Sequence, residues 1–168
     1  MPSHRRNKES AGLLMYRRVS VAQSVAATGE GLVEVLLAHP GGPYWTGREA
    51  ESWTIPKGGM HPGETPLDTA IREFREETGF EPMPPFEPLG HIVQRSGKMV
   101  HAFAFEGDAD PSQLKSEMTK AEWPPKSGRW INVPEIDRVG FFSVQDARRL
   151  LNAAQAELLD RLTQKLTN

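Results

Sequence analysis

The chain has 168 residues, 38% of them apolar and 25% charged, which fits one folded domain with a buried core. It contains no cysteine; this excludes disulfides, thiolate catalysis and zinc sites built on Cys, and fits a reducing cytoplasm. The net charge of −2 gives no general reason to expect a nucleic-acid partner, and no apolar run is long enough to span a membrane.

In chain order, residues 1–10 read as a flexible basic tail and residues 11–168 as a single domain. Arg5, Arg6, Lys8, Arg17 and Arg18 against Glu9 give residues 1–20 a balance of +4. The apolar run Ala11–Tyr16 is too short for a signal-peptide core. Ala11–Arg18 predicts a strand, Val19–Gly31 a loop and Leu32–Ala38 a second strand. His39-Pro40-Gly41-Gly42-Pro43 should be a loop, because neither a helix nor a sheet interior tolerates its prolines. Trp53-Thr54-Ile55 predicts a short strand and Pro56–Gly63 a glycine-containing loop. Thr65 suits an N-cap, Pro66 a first helical residue and Gly79 a stop, so a helix should run over Pro66–Thr78. Leu89–Gln94 and Lys98–Glu106 predict a hairpin around Ser96-Gly97. Gly107–Ser127 reads as irregular, and Trp130–Val133 as one more strand. Ser143-Val144-Gln145-Asp146 opens a helix, and Leu158, Leu159, Leu162 and Leu166 recur at helical spacing near the end. Strands interleaved with helices define an α/β or α+β domain.

The helix Pro66–Thr78 holds the chemistry. Leu67, Ala70, Ile71 and Phe74 form its core face, while Glu73, Glu76 and Glu77 gather within an arc of about 100° on another side. Three carboxylates at i, i+3, i+4 repel one another unless something positive lies among them, either a salt-bridge partner or a hard cation. Arg72 can pair with Glu76 at i+4, which would make the group a solvated charged face. The glycines of Lys57-Gly58-Gly59 and Gly63-Glu64 let backbone atoms approach a ligand, and with the lysine they suit a site for metal and polyphosphate together.

Gly58 to Phe80 reads Gly58, five residues, Glu64, seven residues, then Arg72-Glu73-Phe74-Arg75-Glu76-Glu77-Thr78-Gly79-Phe80. The segment resembles the Nudix box, the signature of the Nudix hydrolases, with every defining position filled. His39–Pro43 and Glu122-Trp123-Pro124-Pro125-Lys126-Ser127-Gly128-Arg129 are similar to stretches of a bacterial Nudix subgroup of predicted nucleoside-triphosphate pyrophosphohydrolases. The resemblance implies an α/β/α sandwich with a mixed β-sheet. It also implies hydrolysis of a pyrophosphate bond in a nucleoside diphosphate-linked substrate with the help of Mg²⁺ or Mn²⁺, nucleoside triphosphates and dinucleoside polyphosphates being favoured. Glu76 and Glu77 would be metal carboxylates, Gly58 would give its backbone carbonyl, and Glu73 would be a further ligand or the base that activates water. Glu64 and Arg72 would orient these carboxylates. In this family the base sometimes comes from a later loop; Glu117 and Glu122 are the candidates, with Glu122 preferred for its place beside the subgroup-like motif.

Outside the box, Lys57, Arg95, Lys98 and Arg129 are candidates for holding phosphates, Lys57 foremost, and Tyr44 with Trp45 could stack on a base. The plainer alternatives are surface charge for the cations and a rigid turn for His39–Pro43. No Gly-Lys-Ser/Thr follows that turn, so it is not a P-loop. The five histidines show no paired-ligand spacing and should be structural. The expectation is therefore a cytoplasmic enzyme with a nucleotide substrate and neither membrane nor nucleic acid as partner. The rival is a non-catalytic Nudix module that senses nucleotides.

Overall fold

The structure is a computed structural model that describes residues 8–19 and 33–168. Its central strand is β1 (Glu9–Arg18), buried without interruption from Ser10 to Met15. Such a run suits a strand covered on both faces. One edge of β1 pairs in parallel with β5 (Met99–Glu106), from Glu9↔Met99 to Tyr16↔Glu106. The other edge is shared. There β2 (Val33–Pro40) pairs with Tyr16–Arg18 and β3 (Lys57–Gly59) with Ser10–Gly12, both antiparallel. β2 and β3 thus part along β1, and the space between them opens a cleft.

β4 (Glu87–Val93) joins β5 through the expected hairpin, and β8 (Ile136–Ser143) joins β2. The order is β4-β5-β1-β2-β8 with β3 beside β1, a mixed six-stranded sheet. A separate two-stranded sheet pairs β6 (Met118–Glu122) with β7 (Trp130–Pro134).

Helices cover both faces. α1 (Pro66–Thr78) sets Ala70 and Phe74 against Leu13, Met15, Leu36 and Phe105. Phe74 and Phe105 meet edge-on with centroids 5.3 Å apart. On the other face α2 (Val144–Leu150) and α3 (Glu157–Thr167) pack Ala147, Leu158 and Leu162 against Leu14, Val35 and Val100. The result is the expected α/β/α sandwich. α1 also starts and stops where expected. The Thr65 hydroxyl accepts from the Asp68 N–H, the Asp68 carboxylate accepts from the Thr65 N–H, and Gly79 closes the helix at φ +77°.

Several boundaries differ from the sequence reading. Glu9 and Ser10, expected in the tail, belong to β1, and Ser10 is fully buried. Residues 1–7 and 20–32, which include most of the expected Val19–Gly31 loop and Leu32, lie outside the described residues. His39 and Pro40 belong to β2 rather than to a loop; the register shifts between them, which accommodates a proline at the end of a strand. His39 is held there by Asp137 at 2.9 Å and by the Arg48 carbonyl at 2.7 Å. Trp53-Thr54-Ile55 makes only isolated bridges, Trp53 with Leu151 and Thr54 with Ala38, and the strand comes later, at Lys57–Gly59. β6 lies within the stretch read as irregular. No helix among the described residues is long and apolar enough to cross a membrane.

Candidate active site

Arg72 is the hub of the carboxylate helix. Its Nε and Nη2 donate to both oxygens of Glu64 at 2.8 and 2.9 Å, a bidentate pair, and Nη2 also donates to the Gly59 carbonyl at 3.0 Å. Its Nη1 donates to Glu73 at 2.8 Å and to Glu76 at 3.1 Å. The Arg72–Glu76 pair expected from the sequence is therefore present, as one arm of a larger network. Glu64 also accepts from the His61 N–H and the Thr69 hydroxyl. The Arg72 guanidinium and these donors bring its pKa down to about 2, and Glu64 in return raises that of Arg72. Glu64 thus ties the loop before α1 to the helix.

Glu73, while bonded to Arg72, also lies against β3, as does Glu77. A Cβ on Gly58 would stand 2.1 Å from the Glu73 carboxyl carbon, so only glycine lets that carboxylate lie against the strand. Glu77 is buried, 6% exposed, although the helical wheel sets it on the side away from the apolar face. Its carboxylate accepts from the Lys57 N–H at 3.0 Å. Burial pushes its pKa up to about 8, against the pull of that N–H; burial also raises Glu73, against the pull of Arg72.

Between β3, α1 and the start of β8 lies a cleft of about 350 Å³, lined by Lys57, Lys98, Glu73, Glu77, Glu135 and the backbone of Gly58. Burial lowers the pKa of Lys57, and Lys98 adds to the effect. Lost solvation raises that of Glu135, reinforced by Glu117 and Glu76. Acidic and basic side chains thus face one another in a partly dehydrated recess.

The structure brings Gly58, Glu64, Arg72, Glu73, Glu76, Glu77 and Lys57 together, and adds Lys98 to the cleft. It does not bring in three others. Glu122 sits at the end of β6 opposite Trp130, outside the cleft lining. Arg129 lies in the turn beyond it, exposed. Tyr44 is half exposed, packed edge-on against Trp45 and covered by Arg48. The late carboxylate in the cleft is Glu135. Its only sequence signal is a lone acid between the strand end Val133-Pro134 and Ile136. Glu117 lies near: its N–H donates to the Glu76 carbonyl at 2.9 Å, and its carbonyl accepts from the Glu135 N–H at 2.8 Å.

All of the side-chain donors are hard oxygens, the kind Mg²⁺ and Mn²⁺ take. Among the described residues no three acidic or histidine side chains already form a cation cage, and Arg72 supplies the positive charge shared by Glu73 and Glu76. The Glu73, Glu77 and Glu135 carboxylates share one cleft with the backbone of Gly58, and this set of oxygens fits such an ion.

The α/β/α sandwich thus sets a carboxylate helix against a glycine-bearing strand at the edge of a cleft. The NUDIX domain family model matches residues 16–162, and the chain belongs to the NUDIX family. The RNA pyrophosphohydrolase of Bartonella bacilliformis is 29% identical over 137 residues, 64% of this chain and 79% of that protein. The asymmetrical bis(5'-nucleosyl)-tetraphosphatase of Mus musculus is 40% identical over 72 residues, 43% of this chain and 42% of that protein. The crystal structure of a C. elegans Ap4A hydrolase binary complex superposes with a TM-score of 0.62 at 21% identity, covering 94% of this chain and 98% of that one. The chain is a Nudix hydrolase, an enzyme class that needs a divalent metal, and its reaction class is pyrophosphate hydrolysis in nucleotide-linked substrates.

Proposed function

We propose that this enzyme uses Mg²⁺ or Mn²⁺ to hydrolyse nucleotides whose phosphate chain can enter the Lys57–Lys98 cleft, nucleoside triphosphates and dinucleoside polyphosphates first among them. The observation that carries the reading is the meeting of Lys57 and Lys98 with Glu73, Glu77 and Glu135 in one recess. Two cations suit a polyphosphate, and crowded carboxylates suit the metal that must accompany it.

Glu73, Glu76, Glu77 and the Gly58 carbonyl would hold the cation. When bound, it neutralises the diphosphate and makes water a better nucleophile. Arg72 and Glu64 fix the positions of Glu73 and Glu76 through the hydrogen bonds described above. Lys57 and Lys98 bind and orient the phosphates. Glu135, and not Glu122, is the late carboxylate placed to take a proton from water, because it lines the cleft and loses hydration there. The names of the two relatives, an RNA pyrophosphohydrolase and a tetraphosphatase, support a polyphosphate-linked nucleotide as substrate. The cytoplasmic setting expected from the sequence is part of the same proposal.

The test is phosphate and pyrophosphate release from a nucleotide panel, with Mg²⁺, with Mn²⁺ and with chelator, for wild type and Glu76→Gln. Metal-dependent release that the variant loses supports the reading. Nucleotide binding without release under every metal condition would overturn it in favour of a sensing module.

A further inference from the structure

Gln155 is buried completely and is not among the residues that line the cleft. It closes the 3-10 turn Ala153–Gln155, between α2 and α3. Its side chain reaches from there to two segments of the cleft wall. The Oε1 atom accepts from the Ile55 N–H at 2.9 Å. The Nε2 atom donates to the Thr54 hydroxyl at 2.9 Å and to Oε1 of Gln94 at 3.0 Å. The Thr54 hydroxyl in turn donates to the Ile55 carbonyl at 2.8 Å. The surroundings dictate which way the amide points: the Ile55 N–H must face an acceptor, so Oε1 lies toward Ile55 and Nε2 toward Gln94.

Each arm of this network ends at a cleft lysine. Thr54 lines the cleft, and Ile55 is followed by Pro56 and Lys57. On the other arm the Gln94 N–H donates to the Lys98 carbonyl and the Gly97 N–H to the Gln94 carbonyl, both at 2.8 Å, with Gly97 at φ +87°. The turn is closed on itself, so Gln94 and Lys98 move as one unit. It lies beyond the ends of β4 and β5, and β4 is the outer strand of the sheet. Gln155 ties that projecting tip to the segment before β3 across sequence separations of 61 and 100 residues. A leucine could fill much of the same space without burying an amide, which costs free energy unless every polar atom is paired. What the amide adds is direction: a fully satisfied buried network admits one arrangement of its members.

We infer that Gln155 is a positioning residue that fixes the separation of Lys57 and Lys98, and with it the seat of the phosphate chain. The inference rests on the phosphate-holding role proposed for the two lysines. Groups that hold phosphate alike before and during the reaction supply uniform binding, so misaligning them raises KM and spares kcat.

The test is steady-state hydrolysis of a nucleoside triphosphate with Mg²⁺ by wild type, Gln155→Leu, Gln94→Ala, Lys98→Ala and Gln94→Ala/Lys98→Ala. Gln155→Leu should raise KM about 10-fold or more with kcat within about twofold, since a ~1 Å displacement of a remote group can cost about 100-fold. Gln94→Ala, at a half-buried site, cuts the hairpin arm alone and keeps the test valid if Gln155→Leu does not fold. It should raise KM about 3-fold or more by itself and less than about 1.5-fold in the Lys98→Ala background, because effects that act through one shared group do not add. A merely structural amide would give effects that multiply. Wild-type KM in Gln155→Leu, a Gln94→Ala effect that multiplies with Lys98→Ala, or wild-type KM in Lys98→Ala would overturn the inference. If wild type binds the nucleotide with Mg²⁺ but hydrolyses none, the enzymatic reading fails, and the same cycle is read as Kd by calorimetry. A non-additive loss of affinity then leaves the positioning role standing, and a multiplicative one overturns it. A nucleotide that neither binds nor reacts overturns both.

Discussion

The backbone N–H of Lys57 donates to Oε2 of Glu77, so the strand beside the cleft and the helix beneath it are joined through a buried carboxylate. That carboxylate is ionised only against the cost of burial, and its pKa stands at about 8 rather than 4.5. Between those values the folded protein holds a proton that the unfolded chain releases. Stability of the metal-free protein should therefore fall as pH rises from about 4.5 to 8. Glu77→Gln keeps an acceptor for Lys57 and removes the ionisation. Thermal melts in chelator should show the variant more stable than wild type at pH 8 and flatter against pH. Activity should be lost, and added Mg²⁺ should stabilise wild type but not the variant. A Glu77→Gln protein with the wild-type pH slope would refute this account of the buried acid.

Arg72→Ala removes donors from Glu64, Glu73, Glu76 and Gly59 at once. The expected loss is about 1–3 kcal/mol of stability at neutral pH, read by urea unfolding, with activity near background. Arg72→Lys should restore charge but not the bidentate pair, and so recover stability better than rate. The contribution of Glu64 should also shrink in Arg72→Ala, where only the His61 N–H and the Thr69 hydroxyl still donate to it. In wild type it is present above about pH 4.5 and lost as pH falls toward about 2, because the folded pKa is the lower one.

Phe74→Ala opens a cavity beside Phe105 at a site with no exposure. The expected cost is about 3–5 kcal/mol, read by denaturant unfolding, with Glu73 beside it and Glu77 about one turn on losing their common support. Phe74→Leu should recover most of it.

Glu135→Gln and Glu122→Gln separate the two late carboxylates. The first should lower kcat about 100-fold or more, within the range of general-base catalysis, and shift the acidic limb of the pH–rate profile. The second should leave kcat near wild type, since Glu122 lies outside the cleft. The reverse ranking would return the role to the motif residue.

The local signals were readable where one short segment decided the structure. Thr65, Pro66 and Gly79 set both ends of the carboxylate helix, and the Ser96-Gly97 turn set the hairpin. The box residues were legible because their spacing alone places them together. Contacts made at a distance were not legible. Glu77 lies on the polar side of the wheel, and its burial comes from Lys57, 20 residues earlier. Glu135 enters the site because β7 ends beside the catalytic helix, which no periodicity records. β8 was missed because Asp137, Arg138 and Gly140 break its apolar pattern; it is a strand because β2 needs a partner. His39-Pro40 reads as a turn by composition and is held in a strand by Asp137 and Arg48.

The two-sided pairing of β1 also governs how the protein comes to exist. Its parallel neighbour begins at Met99, so the chain leaving the ribosome carries an apolar strand whose second edge stays unmatched until more than half the sequence is made. Non-local closure of this kind slows folding and prolongs exposure of an adhesive edge. Heterologous expression should therefore gain from slower synthesis or a co-produced chaperone, and fragments that stop before β5 should aggregate.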